Sequence, residues 1–429
     1  MSRRRPDYSS FGERFARSTG IRTLMADLGA GISGDEPLLM LGGGNPARIP
    51  AMHALFREQM RRIVADDAEF GRMLEDYSPP HGDARFIESL ARLLQREYGW
   101  KIGPANICLT AGSQTGFFML FNLLAGAHES GPDRKILLPL TPEYIGYTDV
   151  GIAGEPFIAE RPRIEHLADR RFKYRVDFDH LEVGEDVAAI CVSRPTNPTG
   201  NVLTDDEIVR LDQSARAHDV PLIIDSAYGT PFPHIIFSEA RPFWNENVIL
   251  CLSLSKLGLP SVRTGIVVAA EPIIDALASM NATINLAVSS VGPVLVQGLI
   301  DSGELIRISR EIIAPFYRSR AEQAVEWLHE SLHGLEYHLH DPEGSMFLWL
   351  WFPELPVSSQ VLYERLKARG VLVLPGHHFF PGLAGEWPHR HQCIRVHYAQ
   401  APDVVRAGLR IIGEEVRRIE EQSRQSKVK

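Results

Sequence analysis

From about residue 105 to 270 the chain repeats one pattern: a short apolar run, a turn rich in Gly, Pro and Ser, then a stretch of helical periodicity. The runs are "NICLT" (106–110), "KILLPL" (135–140), "AAICVS" (188–193), "PLIID" (221–225), "NVILCLS" (247–253) and "GIVVA" (265–269). They scarcely alternate between apolar and polar positions, as expected of strands covered on both faces of a sheet. Between two of them lies "TDDEIVRLDQSARAHD" (204–219). Its Thr204 and Glu207 have the spacing of a capping box, and Ile208, Leu211 and Ala215 mark one helical face. The pattern predicts an α/β fold.

Beyond residue 300 the pattern changes. A long helical stretch is expected near residues 300–332, then strands in "EGSMFLWLWF" (343–352) and "CIRVHYA" (393–399), with helices in "SQVLYERLKARG" (359–370) and at the charged C-terminal end. The reading divides the chain into an N-terminal segment (1–60), a large α/β domain (61–310) and a smaller α+β domain (311–429) with which the N-terminal segment packs.

Length agrees with more than one core, since 429 residues exceed what one small domain holds. Hydrophobic residues at 44% and charged residues at 23% are those of a globular chain. A formal net charge of −9 gives no basic face for nucleic acid. The opening "MSRRRP" is a small basic cluster with no apolar signal-peptide core behind it, and no apolar run is long enough to span a membrane. Of the four cysteines, Cys108, Cys191 and Cys251 sit inside apolar runs, where they read as small hydrophobes in a reducing compartment. A cytoplasmic protein with neither nucleic-acid nor membrane partner is expected.

Candidate chemistry collects at the ends of the runs, where open α/β sheets bind ligands. "LTAGSQTGFF" (109–118) goes from strand through Gly112, Ser113 and Gln114 into a helix, whose first N–H groups make an anion site; an ordinary N-cap by Ser113 would look the same. "SRPTNPTGN" (193–201) carries Asn197 in what is otherwise a good turn. "PLIIDSAYG" (221–229) ends a strand on Asp225, with Tyr228 three residues on. "SLSKLGLPSVRTG" (253–265) sets Lys256 on a turn and Arg263 seven residues later. A lone loop lysine is usually a solvated one; one with its pKa lowered can form a Schiff base.

Taken in order, "GSQ", "NPTG", "DSAYG" and "SLSK" followed by an arginine resemble the fold-type I aminotransferases, which use pyridoxal 5′-phosphate (PLP). The resemblance covers almost the whole chain. "YSPPHGDARF" (77–86) resembles the family's tyrosine–glycine–arginine segment, "PEYIGY" (142–147) its aromatic segment over the cofactor ring, and "CIRVHYA" the strand with its carboxylate-binding arginine. This implies a large domain with a mostly parallel sheet covered by helices, a small α+β domain from both termini, and a homodimer. It also implies that Lys256 forms a Schiff base with PLP and later moves the substrate's Cα proton. Asp225 would pair with the ring nitrogen, Tyr228 and Asn197 would hydrogen-bond the ring oxygen, and Tyr144 would stack on the ring. The phosphate falls to Ser253, Ser255, Arg263 and the backbone around Gly112, Ser113 and Gln114, with Tyr77 reaching into the neighbouring subunit. Arg395, helped by Asn197 and the backbone of Gly44, would hold the substrate's α-carboxylate.

At a finer level "LGGGNPARIP" (41–50), "TPEYIGY", "SRPTNPTGN", "FPHIIFSEARPFWN" (232–245) and "PGHHFFPG" (375–382) resemble members that exchange an amino group between L-valine and pyruvate. The products would be 3-methyl-2-oxobutanoate and L-alanine, by a ping-pong mechanism. Both substrates have small uncharged side chains, so an apolar pocket is expected, with no second arginine for a distal carboxylate. Transamination of another amino acid, or C–S β-elimination, would use nearly the same residues. A non-catalytic PLP-binding transcriptional regulator would need a DNA-binding module, and only a short segment without a basic reading helix precedes "LGGGNP". Two motifs point elsewhere. "GAGISG" (29–34) matches a dinucleotide fingerprint but follows a helical rather than a strand pattern. "HRHQC" (389–393) would align His389, His391 and Cys393 on one face if it were a strand, although no further metal ligands accompany it, and packing is the better reading. His377 and His378 read as loop residues.

Overall fold

The computed structural model describes residues 7–16, 38–129 and 131–428. The "GAGISG" motif lies outside them. Seven strands form the central sheet, in the order Ile107–Thr110, Gly265–Val268, Val248–Ser253, Leu222–Asp225, Val187–Ser193, Lys135–Leu138, Phe157–Ala159. All neighbours pair in parallel except Gly265–Val268, which runs antiparallel to the strands on both sides. The six apolar runs are therefore all strands of one mostly parallel sheet, and Phe157–Ala159 is an edge strand added to them.

Burial explains why the runs do not alternate. Leu109, Leu137, Ile190, Leu222, Leu250 and Ile266 pack into one apolar core. Their chain neighbours Cys108, Ile136, Ala189, Ile223, Ile249 and Val267 pack into another on the opposite face. Successive strand residues point to opposite faces, so a sheet covered on both sides needs apolar residues at every position. The four cysteines are buried and unpaired. Helix Asp205–Ala217 begins with the expected capping box: Thr204 Oγ1 accepts from Glu207 N, and the Glu207 carboxylate accepts from Thr204 N.

The second sheet has six strands, in the order Leu374–Pro375, Cys393–His397, Phe347–Trp351, His338–His340, Arg171–Arg175, Arg163–His166. Its last two strands come from the middle of the chain. Leu39–Met40 pairs in parallel with Val371–Leu372, which ties this early segment to the C-terminal part of the chain. The long helical stretch is interrupted: Glu304–Ile308 passes through a π-helical turn, Ser309–Ile313, into Ala314–Ser331. Pro315 brings no N–H to the ladder, which accounts for the irregular turn just before it. Residues 388–391 of the "HRHQC" region form a 3₁₀ turn begun by Pro388, so His389 and His391 do not share a strand face. His389 is buried against Trp351 and Trp387.

Candidate active site

The parallel strands end on one side of the sheet, and the segments that follow them enclose a cavity of about 540 Å³. Its lining includes Ser113 and Gln114, Tyr144, Asn197, Asp225 and Tyr228, Ser253, Ser255, Lys256 and Arg263, with Arg395 and Gly44 entering from the second sheet and the N-terminal segment. Gly112 lies directly behind Arg263. Tyr77 is apart from this cavity, on the surface and 84% exposed. A wider groove of about 980 Å³, lined by Arg170, Arg318 and His329 among others, contains none of the strand-end residues.

Lys256 lies in the 3₁₀ turn Ser255–Leu257 that follows strand Val248–Ser253, and Gly258 closes the turn with a left-handed φ of 109°. The turn carries the ammonium into the cavity, where Nζ donates to the Gly44 carbonyl at 2.6 Å and lies 5.1 Å from the Tyr228 ring centroid. Burial, then the charges of Arg395 and Arg263, lower its pKa to about 8, and Asp225 opposes them. Neutral amine is thereby accessible near neutral pH.

Asp225 is the last residue of strand Leu222–Asp225. Its Oδ1 accepts from Ala227 N at 2.9 Å and its Oδ2 from the Tyr147 hydroxyl at 2.8 Å. Burial pushes its pKa up to about 6, against those two hydrogen bonds and the Lys256 charge. A cation bound beside it would reverse that shift.

Two anion sites flank this pair. Helix Ser113–Leu124 starts at Gly112, whose φ of 89° and ψ of 156° only glycine adopts readily. No side chain caps this end, contrary to an N-cap by Ser113, so the first N–H groups remain available. A Cβ on Gly112 would overlap the Arg263 guanidinium, which shows how closely that group sits on the helix start. Arg263 itself has a left-handed φ of 48°, an uncommon conformation for a side chain with a Cβ. On the other side Arg395, on strand Cys393–His397, is only 4% exposed. Its Nη1 donates to Asn197 Oδ1 at 2.6 Å, and its Nη2 to the carbonyls of Gly42 at 2.8 Å and Gly43 at 3.2 Å. The guanidinium stacks over Phe347, 3.9 Å from the ring centroid, and Nε is buried without a partner.

Residues 45–405 match the family of class I and II aminotransferases. The chain belongs to that family. It is 49% identical to the valine–pyruvate aminotransferase of Escherichia coli K12 over 414 residues, 96% of this chain and 98% of that one. Among solved structures it resembles a putative amino-acid aminotransferase from Psychrobacter arcticum (TM-score 0.95, 45% identity, 97% of this chain and 99% of that one). It also resembles the valine–pyruvate aminotransferase of Salmonella typhimurium LT2 (TM-score 0.87, 49% identity, 94% and 100%). The protein is an aminotransferase with the fold-type I architecture, and its cofactor is PLP.

The cavity fits that cofactor. An uncapped helix start beside an arginine suits a phosphate, a strand-end carboxylate suits a protonated ring nitrogen, and a half-buried lysine of lowered pKa suits a Schiff-base amine. Several residues in or next to the cavity carry no signal of their own in the sequence. Tyr147 and Glu143 belong to the quoted "PEYIGY" segment, and Ser193 opens "SRPTNPTGN", yet only the fold brings them to Asp225. Met40, Ile145, Leu374 and Gln400 also line the cavity. Among the described residues no group of three or more His, Cys, Asp or Glu could hold a metal ion.

Proposed function

We propose that this aminotransferase moves the amino group of L-valine to pyruvate in two half-reactions, giving 3-methyl-2-oxobutanoate and L-alanine. The observation that carries the reading is the seating of Lys256, Asp225 and Arg395 in one cavity, in a chain 49% identical to an enzyme named for that reaction. When bound, PLP supplies an electron sink that makes the substrate's Cα proton removable.

The residues of this chain do the rest. Arg395 holds the substrate carboxylate with its planar fork, replacing its present contacts to the Gly42 and Gly43 carbonyls. Asn197 steadies the guanidinium. Lys256 Nζ, neutral and close to the held substrate, would take the Cα proton and hold it for return. Asp225 keeps the ring nitrogen protonated, while Tyr228 and Asn197 serve the ring oxygen and Tyr144 the ring face. Ser113, Gln114, Ser253, Ser255 and Arg263 hold the phosphate. Met40, Ile145 and Leu374 give the cavity apolar walls suited to a branched aliphatic side chain, and the two lining arginines are both engaged by these roles.

The same reading makes the working unit a homodimer in the cytoplasm, with Tyr77 serving the partner's phosphate site. Apolar side chains exposed in the segment just before Tyr77, namely Val64, Phe70 and Leu74, support a covered surface, as do the exposed Ile284 and Leu286. Free buried cysteines suit a reducing compartment. Among the described residues no helix is long and apolar enough to cross a membrane.

Lys256→Ala tests the core of the proposal. Loss of the general base lowers valine–pyruvate turnover about a hundred- to ten-thousandfold, with far-ultraviolet circular dichroism unchanged. Turnover comparable to the parent would remove Lys256 from its role.

A further inference from the structure

Linked to Asp225 through two hydroxyls, and not among the residues that line the cavity, is a second carboxyl group that the chemistry above does not use. Glu143 is fully buried, at 0% exposure. Its Oε1 accepts from Ser193 N at 2.8 Å, and its Oε2 is 2.6 Å from Ser193 Oγ and 3.2 Å from Tyr144 N. Ser193 Oγ is in turn 3.4 Å from the Tyr147 hydroxyl, the longest link, and that hydroxyl donates to Asp225 Oδ2 at 2.8 Å. Ser193 and Asp225 are paired residues at the ends of adjacent strands, which fixes the spacing of this chain of oxygens.

Among the described residues no Lys, Arg or His is hydrogen-bonded or ion-paired to Glu143. The ionisable groups bearing on it are Asp225, Tyr144, Tyr147 and Cys191, all neutral or negative. Two buried carboxylates so connected repel each other, and a buried charge without a cation is costly. Burial above all, and Asp225 in addition, push the pKa of Glu143 up to about 8, while its hydrogen bonds from Ser193 act the other way. The Ser193 hydroxyl has a single proton, so the chain has two possible directions. With Glu143 ionised, Ser193 donates to it and has no proton for Tyr147. With Glu143 protonated, Glu143 donates to Ser193, Ser193 toward Tyr147, and Tyr147 to Asp225.

We propose that Glu143 is a neutral carboxylic acid at working pH and acts as a positioning residue, directing the hydroxyls of Ser193 and Tyr147 as donors toward the Asp225 carboxylate. Its effect on the reaction rests on the reading of Asp225 as partner of the cofactor's ring nitrogen. Charge is thereby concentrated on the one carboxylate that faces the cavity.

The test is infrared difference spectroscopy of the cofactor-free protein, parent minus Glu143→Gln. At pH 7 the parent shows the C=O band of a protonated carboxylic acid that the variant lacks, and the band fades as pH rises through about 8. Loss of carboxylate bands instead would overturn the proposal. If Glu143→Gln does not fold, Ser193→Ala replaces it: the acid band must shift in frequency when its partner oxygen is removed, and an unshifted band counts against the chain. The positioning half is read from PLP binding, by absorbance titration. Glu143→Gln, which keeps a neutral donor, binds PLP at least tenfold tighter than Glu143→Leu, which has none; equal affinities would refute the role. Asp225→Ala separates the underlying reading. If that variant keeps parental PLP affinity, the ring-nitrogen assignment fails, whatever the acid band shows.

Discussion

Replacing Gly112 by alanine separates the backbone requirement at the phosphate site from the side-chain one. The φ and ψ of Gly112, 89° and 156°, fall in a region essentially reserved for glycine, so a residue with a Cβ costs about 1–3 kcal/mol there. That cost falls on the folded protein with or without cofactor, and so lowers stability without changing affinity. The second effect is specific to binding. The new Cβ would overlap Arg263 Nη2 and lie 2.6 Å from its Cζ, so the guanidinium must swing away from the helix start. A hydrogen bond to a charged group is worth about 1.5–3 kcal/mol. At about 1.4 kcal/mol per factor of ten, its loss weakens PLP binding about 10- to 150-fold. The assay is absorbance titration of cofactor-free protein with PLP for Gly112→Ala, Arg263→Gln and the double variant. If alanine acts by displacing the arginine, the double variant binds little worse than Arg263→Gln alone. A Gly112→Ala dissociation constant within threefold of the parent, or fully additive losses in the double variant, would refute this reasoning.

Two further outcomes follow from the other side of the cavity. Arg395→Lys keeps the charge but not the fork, and loses at least one charge-assisted bond of about 1.5–3 kcal/mol, so kcat/KM for L-valine falls about 10- to 150-fold while PLP affinity stays within threefold; steady-state kinetics and the same titration check both. Lys256 reacts with PLP only as the neutral amine, and its pKa is lowered to about 8. The rate of PLP capture by the cofactor-free protein therefore rises about tenfold per pH unit below 8 and levels off above it, as read by stopped-flow absorbance; a rise continuing past pH 10 would mean an unperturbed lysine.

The central sheet was legible because both its faces are buried, which makes each run continuously apolar and bounded. Phe157–Ala159 escaped notice: it is a three-residue edge strand. Arg163–His166 and Arg171–Arg175 escaped for a different reason. Their residues are largely polar or half-exposed, and their place is set by pairing of Arg171–Phe172 with Leu339–His340, some 170 residues away along the chain. The candidate site was legible through the order of its motifs, since Asp225 ends a strand and Lys256, Asn197 and Ser113 follow strand ends. The chain from Glu143 through Ser193 and Tyr147 to Asp225 joins residues 46 to 78 positions apart, and no local spacing encodes it. The "HRHQC" alternation puts no shared face on a strand, because Pro388 starts a turn there, and His389 packs against Trp351 and Trp387 in line with the packing reading.

The most direct measurement is the visible absorption spectrum of the purified protein with PLP, before and after L-valine and then pyruvate. Transamination between these substrates predicts a cofactor band that bleaches on adding valine and returns on adding pyruvate, with alanine formed and no ammonia. No band after PLP is supplied would contradict the role of Lys256, and a band indifferent to valine would contradict the proposed substrate.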